Sequence, residues 1–213
     1  MAYSAQLAAT LSGATESQLR YWRRSRNGEP PLLAPEYGSR PASYSYRDVV
    51  TLRMFARLRE EISLQKVRKA VAYVESQLPE GAHISEEQIR ALPGGGSAVW
   101  ISKDGEYVDV VEHPGQSGFR VLMEDIFRSF VTHSGREVPD LLHPAPGLVI
   151  DPAVRGGAPV AEGTRITYDR LATLRQDGLT VDEVRELYPW VSAESVNGAT
   201  EFAHRVEELA RVA

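Results

Sequence analysis

The chain has 213 residues, of which 42% are apolar and 25% are charged. These proportions exclude a fully disordered chain, a collagen-like chain and a small disulfide scaffold, and the length favours two or three small domains. The chain contains no cysteine, which excludes disulfides, thiolate metal sites and a cysteine nucleophile and favours the cytoplasm. The first residues lack the pattern of a signal peptide and no 18 apolar residues run together, so we expect no contact with a membrane.

Charge is distributed unevenly along the chain. Residues 1–79 hold 12 Lys and Arg against 7 Asp and Glu, whereas residues 80–213 hold 12 against 22. The net charge is therefore +5 in the first part and -10 in the second. This split is typical of a protein that binds a polyanion at one end and either repels it or meets a basic partner at the other.

A helix-turn-helix pattern opens the chain. Apolar residues at positions 5–11 fit one helical stripe, and Ser12-Gly13-Ala14 supplies a turn with the glycine that is common at this junction. Thr15 and Gln18 have the spacing of a capping box and predict the start of a second helix.

The second helix presents a basic face to solvent. Leu19 and Trp22 lie within one turn and would pack against the first helix. At 100° per residue, the opposite face is formed by Ser17, Arg20, Tyr21 and Arg24. This face is either a recognition surface for nucleic acid or an ordinary solvated helix face.

A non-periodic segment rich in Pro, Gly and Ser follows at residues 25–43 and predicts a wing or loop that contains Arg26, Tyr37 and Arg40. Ser45 and Asp48 then predict the capped start of a third helix, which ends near residues 60–61. A fourth helix is predicted after Ser63, with an apolar stripe over residues 64–78 that serves either as a dimer interface or as packing within the domain.

This order of elements resembles the N-terminal DNA-binding domain of the MerR family of winged-helix regulators. The resemblance is carried by residues 11–14, by Leu19-Arg20-Tyr21-Trp22 and by residues 44–52, whereas the wing is longer and richer in proline than the usual family pattern. It implies that the second helix enters the major groove and that the wing meets the neighbouring backbone. The candidate DNA-binding residues are Thr15, Ser17, Arg20, Tyr21, Arg24, Arg26, Arg40 and Tyr44.

The middle of the chain predicts a small α+β region. Pro93-Gly94-Gly95-Gly96 suggests a boundary, and two strands at residues 98–102 and 107–111 flank an Asp-Gly turn that is typical of a β-hairpin. Residues 119–122 form either a third strand or the approach to a helix through Ile126, Phe127 and Phe130. Trp100 is expected to pack on the hairpin or, alternatively, to be an exposed contact residue.

The C-terminal part predicts a helical domain with a β-leading arm. After the Pro144-Ala145-Pro146 spacer, a short strand at residues 148–150 precedes a glycine-rich arm. Three helices follow: one from Thr167 to Gly178, one capped by Thr180 with Glu183, and a last one capped by Ser192.

The chain also resembles a small bacterial domain family of unknown function, often described as antitoxin, over nearly its whole length and most strongly over residues 148–203. The resemblance is carried by Gly156-Gly157-x-Pro159-Val160, by Gly163-Thr164-Arg165-Ile166, and by residues 150–152, 178–184 and 188–189. The resemblance implies a helix-turn-helix-like core and a PIN-like ribonuclease toxin as partner, as in VapB-type antitoxins. Gly157, Pro159, Gly163, Thr164 and Arg165 either fix the arm through internal hydrogen bonds or contact a partner or DNA.

No pattern in the chain indicates catalysis. The spacing of the arm glycines does not fit a phosphate-binding loop, the five histidines lack metal-ligand spacing, and no nucleophile elbow is present. We therefore expect no enzyme activity, no cofactor and no metal.

Together these patterns predict a mainly α fold with small β elements, an α+β chain. It comprises a winged helix-turn-helix at 1–79, a central β-hairpin region at 80–143 and a helical helix-turn-helix-like domain at 144–213. The leading hypothesis is a DNA-binding, homodimeric antitoxin-like regulator of a type II toxin-antitoxin pair. The alternatives are a MerR-like regulator without a toxin, which senses a ligand or only oligomerises, and an adaptor whose basic surface binds another protein.

Overall fold

The structure is a computed structural model that describes residues 2–25, 28–38, 41–86, 88–91, 98–101, 107–111 and 126–212. The helices in this part of the chain are α1 (Ala5–Ser12), α2 (Glu16–Trp22), α3 (Tyr46–Glu61), α4 (Leu64–Gln77), α5 (Tyr168–Gln176), α6 (Val181–Leu187) and α7 (Ala193–Val212). The strands are β1 (Gln88–Ala91), β2 (Ala98–Ile101), β3 (Tyr107–Asp109), β4 (Phe130–Val131), β5 (Glu137–Val138), β6 (Leu148–Val149) and β7 (Val160–Ala161). The predicted α+β class, mainly helical with small β elements, is confirmed.

The N-terminal helices begin and end where the sequence predicts. Gly13 ends α1 in the left-handed conformation, with φ of 83°, and Thr15 forms a complete capping box with Gln18 at the start of α2. Ser45 and Asp48 form a second capping box for α3. Each cap gives orphan N–H groups a partner, so these boundaries are decided locally by the sequence.

The core of this part of the molecule lies between α1, α2 and α3. Trp22 and Phe55 meet edge to face with ring centroids 6.1 Å apart, and both are almost completely buried. The apolar stripe of α4 is also buried inside the subunit at Val67, Ala70 and Val74. Of the two predicted roles of this stripe, the structure therefore shows packing within the chain.

The central sheet has three strands in the antiparallel order β1-β2-β3. β1 lies against α3, and β2 lies against α4. β1 pairs with β2 from Gln88 opposite Ile101 to Ala91 opposite Ala98, so the predicted boundary at Pro93 instead falls between two strands of one sheet. The predicted Asp-Gly turn and residues 119–122 lie outside the described residues.

The predicted helix through Ile126, Phe127 and Phe130 is wrong. Ile126 and Phe127 form a turn, and Phe130 belongs to β4, which pairs with β5. The physical reason is the pairing of residues 130–131 with residues 137–138, because residues in an antiparallel pair hold extended rather than helical backbone angles. The buried guanidinium of Arg53 in α3 donates to the carbonyls of residues 126, 127 and 128 and holds the turn that precedes β4.

The C-terminal part has the predicted arm and three helices. β6 pairs with β7, and α7 packs along α5, where Tyr168 and Phe202 meet edge to face at 5.0 Å. Ser192 caps α7 through its Oγ, which accepts from the Ser195 N–H at 3.0 Å. A Cβ at Gly198 would lie 2.0 Å from the Pro146 carbonyl oxygen, so the proline spacer passes directly over α7.

The C-terminal helices pack on the N-terminal ones. α7 contacts α1, and the Tyr3 hydroxyl donates a hydrogen bond to the carbonyl of Gly157 in the arm. Burial at this contact raises the pKa of Tyr3, because an ionised phenol there would lose its hydration. The predicted division into 1–79, 80–143 and 144–213 stays a prediction.

Candidate DNA-binding surface

The orientation of α2 is fixed by its two buried residues. Leu19 is 1% exposed and Trp22 is 2% exposed, so the helix face that contains them is turned toward the core. The polar and basic residues that the sequence predicts on the opposite side are exposed, namely Ser17, Arg20, Tyr21 and Arg24, and so is the N-cap residue Thr15. This confirms the predicted direction of that face.

The chemistry of the exposed face is suited to DNA. Arg20 and Tyr21, which is 38% exposed, lie in the last turn of α2, and the exposed Arg24 lies two residues after the end of the helix. A guanidinium offers five N–H donors that match the geometry of a phosphate or of a guanine edge in the major groove. Ser17 and Thr15 add hydroxyl groups near the start of the helix, where phosphate oxygens are stabilised.

The turn between α1 and α2 is shaped by glycine and by β-hairpin packing. Gly13 has a φ of 83°, which favours glycine. It also has no room for a side chain, because a Cβ would lie 2.9 Å from atoms of both Phe130 and Val138. The Ser12 Oγ accepts a hydrogen bond from the Ala14 N–H at 3.2 Å. The hairpin of β4 and β5 therefore packs against the turn between α1 and α2.

The wing is held to α2 and to α4. The carbonyl of Trp22 accepts hydrogen bonds from the N–H groups of Leu32, at 2.8 Å, and Leu33, at 3.3 Å. From α4, Arg68 donates to the Pro30 carbonyl at 3.2 Å and pairs with Glu29 at 3.7 Å. The path of the wing is therefore fixed relative to α2. Of the predicted wing contacts, Arg26 and Arg40 lie outside the described residues.

Tyr44 is not available for contact with DNA. Its side chain is 0% exposed, and its main chain exchanges two hydrogen bonds with Tyr3, at 2.7 and 3.0 Å. Burial raises the pKa of Tyr44. We therefore correct this assignment, since the sequence gives the position of Tyr44 before α3 but not the direction of its ring.

Arg47 is an exposed basic residue that the sequence reasoning left out of the predicted site. It stands on the first turn of α3, three residues after buried Tyr44. The signal that identifies it is the capping box itself, because Ser45 and Asp48 fix the helix start and so place Arg47 on the outer side.

The C-terminal arm is built mainly by internal contacts. Gly157 and Pro159 are buried, and a Cβ at Gly157 would lie 2.6 Å from the Tyr3 hydroxyl. The Thr164 Oγ1 donates to the Ala161 carbonyl at 2.8 Å and accepts from the Ile166 N–H at 3.1 Å. These contacts match the predicted structural role.

Two arm residues remain on the surface. Gly163 turns the chain with φ of 73° and has open space around it. Arg165 is exposed, and the internal hydrogen bond expected of its guanidinium is absent within the described part of the chain. Arg165 is therefore the arm residue that is accessible to a partner.

A cleft of about 770 Å³ lies between the helix-turn-helix and α7. Its walls come from α1, from the start of α2, from the hairpin of β4 and β5 and from the end of α7. The lining includes the charged residues Glu16, Arg136, Glu137, Arg205 and Glu208. Burial lowers the pKa of Arg136, because the cleft wall shields part of its guanidinium from water.

Residues 3–73 match the family described as MerR HTH family regulatory protein. Residues 148–203 match the family described as Protein of unknown function (DUF433). The chain thus carries a MerR-family helix-turn-helix at its N-terminal end, a domain class used in DNA-binding transcription regulation, and a DUF433 domain at its C-terminal end.

No protein of curated function is significantly similar to the chain in sequence. The crystal structure of Rv2018 from Mycobacterium tuberculosis is similar over 92% of this chain and 95% of its own, with 14% identity and a TM-score of 0.49. None of the described helices is long and apolar enough to cross a membrane.

Proposed function

We propose that this chain is an antitoxin-like transcription regulator that binds operator DNA in the cytoplasm through α2. The observation that carries the proposal is the exposed surface at the end of α2, where Arg20 and Tyr21 lie on the helix and Arg24 just after it, in a helix-turn-helix of the MerR type. Placed in the major groove, this face supplies donors for base edges and phosphates, while the anchored wing follows the neighbouring backbone.

The regulator acts as a homodimer in this proposal. A single recognition helix reads only a short half-site, and two copies about one helical turn of DNA apart give a usable operator. The stripe of α4 does not supply the dimer contact, because Val67, Ala70 and Val74 are buried within the subunit. The contact between subunits therefore lies on another surface.

The acidic remainder of the chain supports the toxin half of the proposal. Residues 80–213 have a net charge of -10, which complements the basic surface that a ribonuclease needs to bind RNA. A DUF433 domain that covers this basic surface would both associate rapidly and block the RNA path. The proposed partner is a PIN-like ribonuclease, and this chain itself has no catalytic role.

The test is recovery of both partners from the native host. Full-length protein is purified from its host, the bound DNA is sequenced, and the bound proteins are identified by mass spectrometry. The proposal expects the protein's own promoter and a PIN-like ribonuclease whose RNA cleavage stops when the purified chain is added. Recovery of DNA without such a ribonuclease would contradict the proposed toxin partner.

The cleft favours a second candidate, a MerR-like regulator that senses a small ligand. A ligand bound there would contact Thr15 and Glu16 of the helix-turn-helix and Arg205 of α7 at the same time. Such a ligand would raise the unfolding temperature of the protein and change its affinity for the promoter fragment. If no metabolite in a thermal-shift panel does both, this candidate fails.

A further inference from the structure

The loop that joins α6 to α7 exposes two large apolar side chains. Trp190 is 84% exposed and Leu187 is 57% exposed, although Val184 and Val191 beside them are buried. The Val191 N–H donates to the Tyr188 carbonyl at 3.0 Å, so the loop is a tight turn with a defined path. Tryptophan is usually covered at least in part, and two exposed apolar residues this close together indicate a contact surface.

Acidic residues flank these two side chains along the chain. Asp182, Glu183, Glu186 and Glu194 are exposed on α6 and on the first turn of α7, and Arg185, the single basic residue between positions 181 and 194, pairs with Asp182 at 3.6 Å. Arg170 of α5 donates to the Tyr188 hydroxyl at 3.2 Å, so the four carboxylates outnumber the two guanidinium groups beside the loop. Glu183 lies one helical turn before Leu187, on the same side of α6. Hydrogen bonds from Thr180 lower the pKa of Glu183, so this carboxylate is charged at neutral pH.

We infer that Leu187, Trp190 and the four carboxylates around them, hereafter the Trp190 patch, form the docking site for a basic protein. The inference rests on the proposed function in one respect, namely that the basic protein is the ribonuclease toxin. It then assigns toxin binding to the turn between α6 and α7, away from the helix that binds DNA.

Charge decides between the possible occupants of the Trp190 patch. A second copy docked patch to patch would bring two sets of four carboxylates together, which is unfavourable because like charges repel, and DNA would be repelled by the same charges. A basic protein surface gains from these carboxylates, and its Arg or Lys side chains can also stack on the indole face of Trp190. Tryptophan is among the residues that contribute most binding energy at interfaces.

The test uses Trp190→Ala and Glu186→Lys in the full-length chain. The matched control is Val131→Ala, because Val131 is 62% exposed but lies on β4. Proteins retained from the host extract are identified, purified and titrated against each variant at two salt concentrations. Trp190→Ala is expected to raise the Kd by about tenfold or more. Glu186→Lys should raise the Kd most at low salt, and Val131→Ala should leave it unchanged. Circular dichroism checks that each variant folds.

The outcomes separate this inference from the proposed function. A PIN-like ribonuclease that binds Trp190→Ala as tightly as the wild type would contradict the Trp190 patch as docking site but support the ribonuclease as partner. A different basic protein that loses affinity for Trp190→Ala would support the Trp190 patch as docking site but contradict the ribonuclease as partner. The patch is also overturned if no retained protein distinguishes Trp190→Ala from wild type, or if sedimentation shows that Trp190→Ala abolishes self-association.

Discussion

Replacement of Arg53 by methionine tests how the helix-turn-helix is joined to the middle of the chain. Arg53 is 0% exposed, and its guanidinium donates to the carbonyls of Ile126 at 2.7 Å, Arg128 at 2.6 Å and Pro139 at 2.7 Å. It also donates to the carbonyl of Leu11 at the end of α1 and lies 5.1 Å from the ring centre of Phe130. A single side chain thus ties α1 and α3 to residues 126–139.

The expected loss of stability follows from these bonds. Each hydrogen bond from a charged donor contributes about 1.5 kcal/mol or more, so loss of the four bonds just named removes about 6 kcal/mol or more. The longer bond to the Phe127 carbonyl, at 3.3 Å, is lost as well. Methionine avoids the cost of burying a charge, which offsets part of this loss. We expect Arg53→Met to lower the free energy of unfolding by about 3 to 5 kcal/mol. Arg53→Lys should cost nearly as much, since an ammonium cannot reach several carbonyls in the geometry of a guanidinium.

The assay is urea unfolding followed by tryptophan fluorescence. The matched control is Arg57→Met, because Arg57 lies one turn later on α3, is only partly buried and stands 4.6 Å from the centre of the same Phe130 ring. The control should lose about 1 kcal/mol or less. If the free energy of unfolding of Arg53→Met lies within about 1 kcal/mol of the wild-type value, the buried hydrogen bonds do not hold the two regions together.

Two further predictions concern stability. Gly13→Ala should lower the free energy of unfolding by about 2 kcal/mol or more, because it adds a clash with the β4 and β5 hairpin to the strain of a positive φ; Gly28→Ala, with φ of 80° and open space, should cost only about 1 kcal/mol. Equal losses in urea unfolding would show that the hairpin does not press on the turn. Burial raises the pKa of Tyr168 to about 12 in the folded protein. The contribution of this neutral phenol to folding stability is therefore complete below the pKa of about 10 that it has in the unfolded chain, and it is lost as the pH rises toward 12. The wild type should therefore lose about 2 to 3 kcal/mol more stability than Tyr168→Phe across that pH range; parallel unfolding curves for the two proteins would contradict this.

Helix boundaries could be predicted because their signals are local. Thr15 with Gln18 and Thr180 with Glu183 form the predicted capping boxes, in which each partner is only three residues away. The inward position of Trp22 follows from helical periodicity in the same way. Such features depend on neighbours along the chain, and the sequence contains those neighbours directly.

Features that depend on distant partners could not be predicted. Arg53 looks like one more basic residue on a helix, and its carbonyl partners at residues 126–139 lie more than 70 positions away. Tyr44 was assigned to DNA because nothing in the local sequence reveals its pairing with Tyr3. The exposure of Trp190 also has no sequence signal, since an apolar residue after a helix is more often buried.

Promoter binding at several salt concentrations tests the central claim, that α2 contacts DNA. Affinity for the protein's own promoter fragment is measured between about 50 and 200 mM salt for wild type, for the Arg20→Ala and Arg24→Ala double variant, and for Arg185→Ala as a control on α6. We expect the affinity of wild type and of Arg185→Ala to fall steeply with salt, and the slope to be smaller by about 2 for the double variant. A slope and affinity unchanged by the loss of both arginines would show that this surface does not contact DNA.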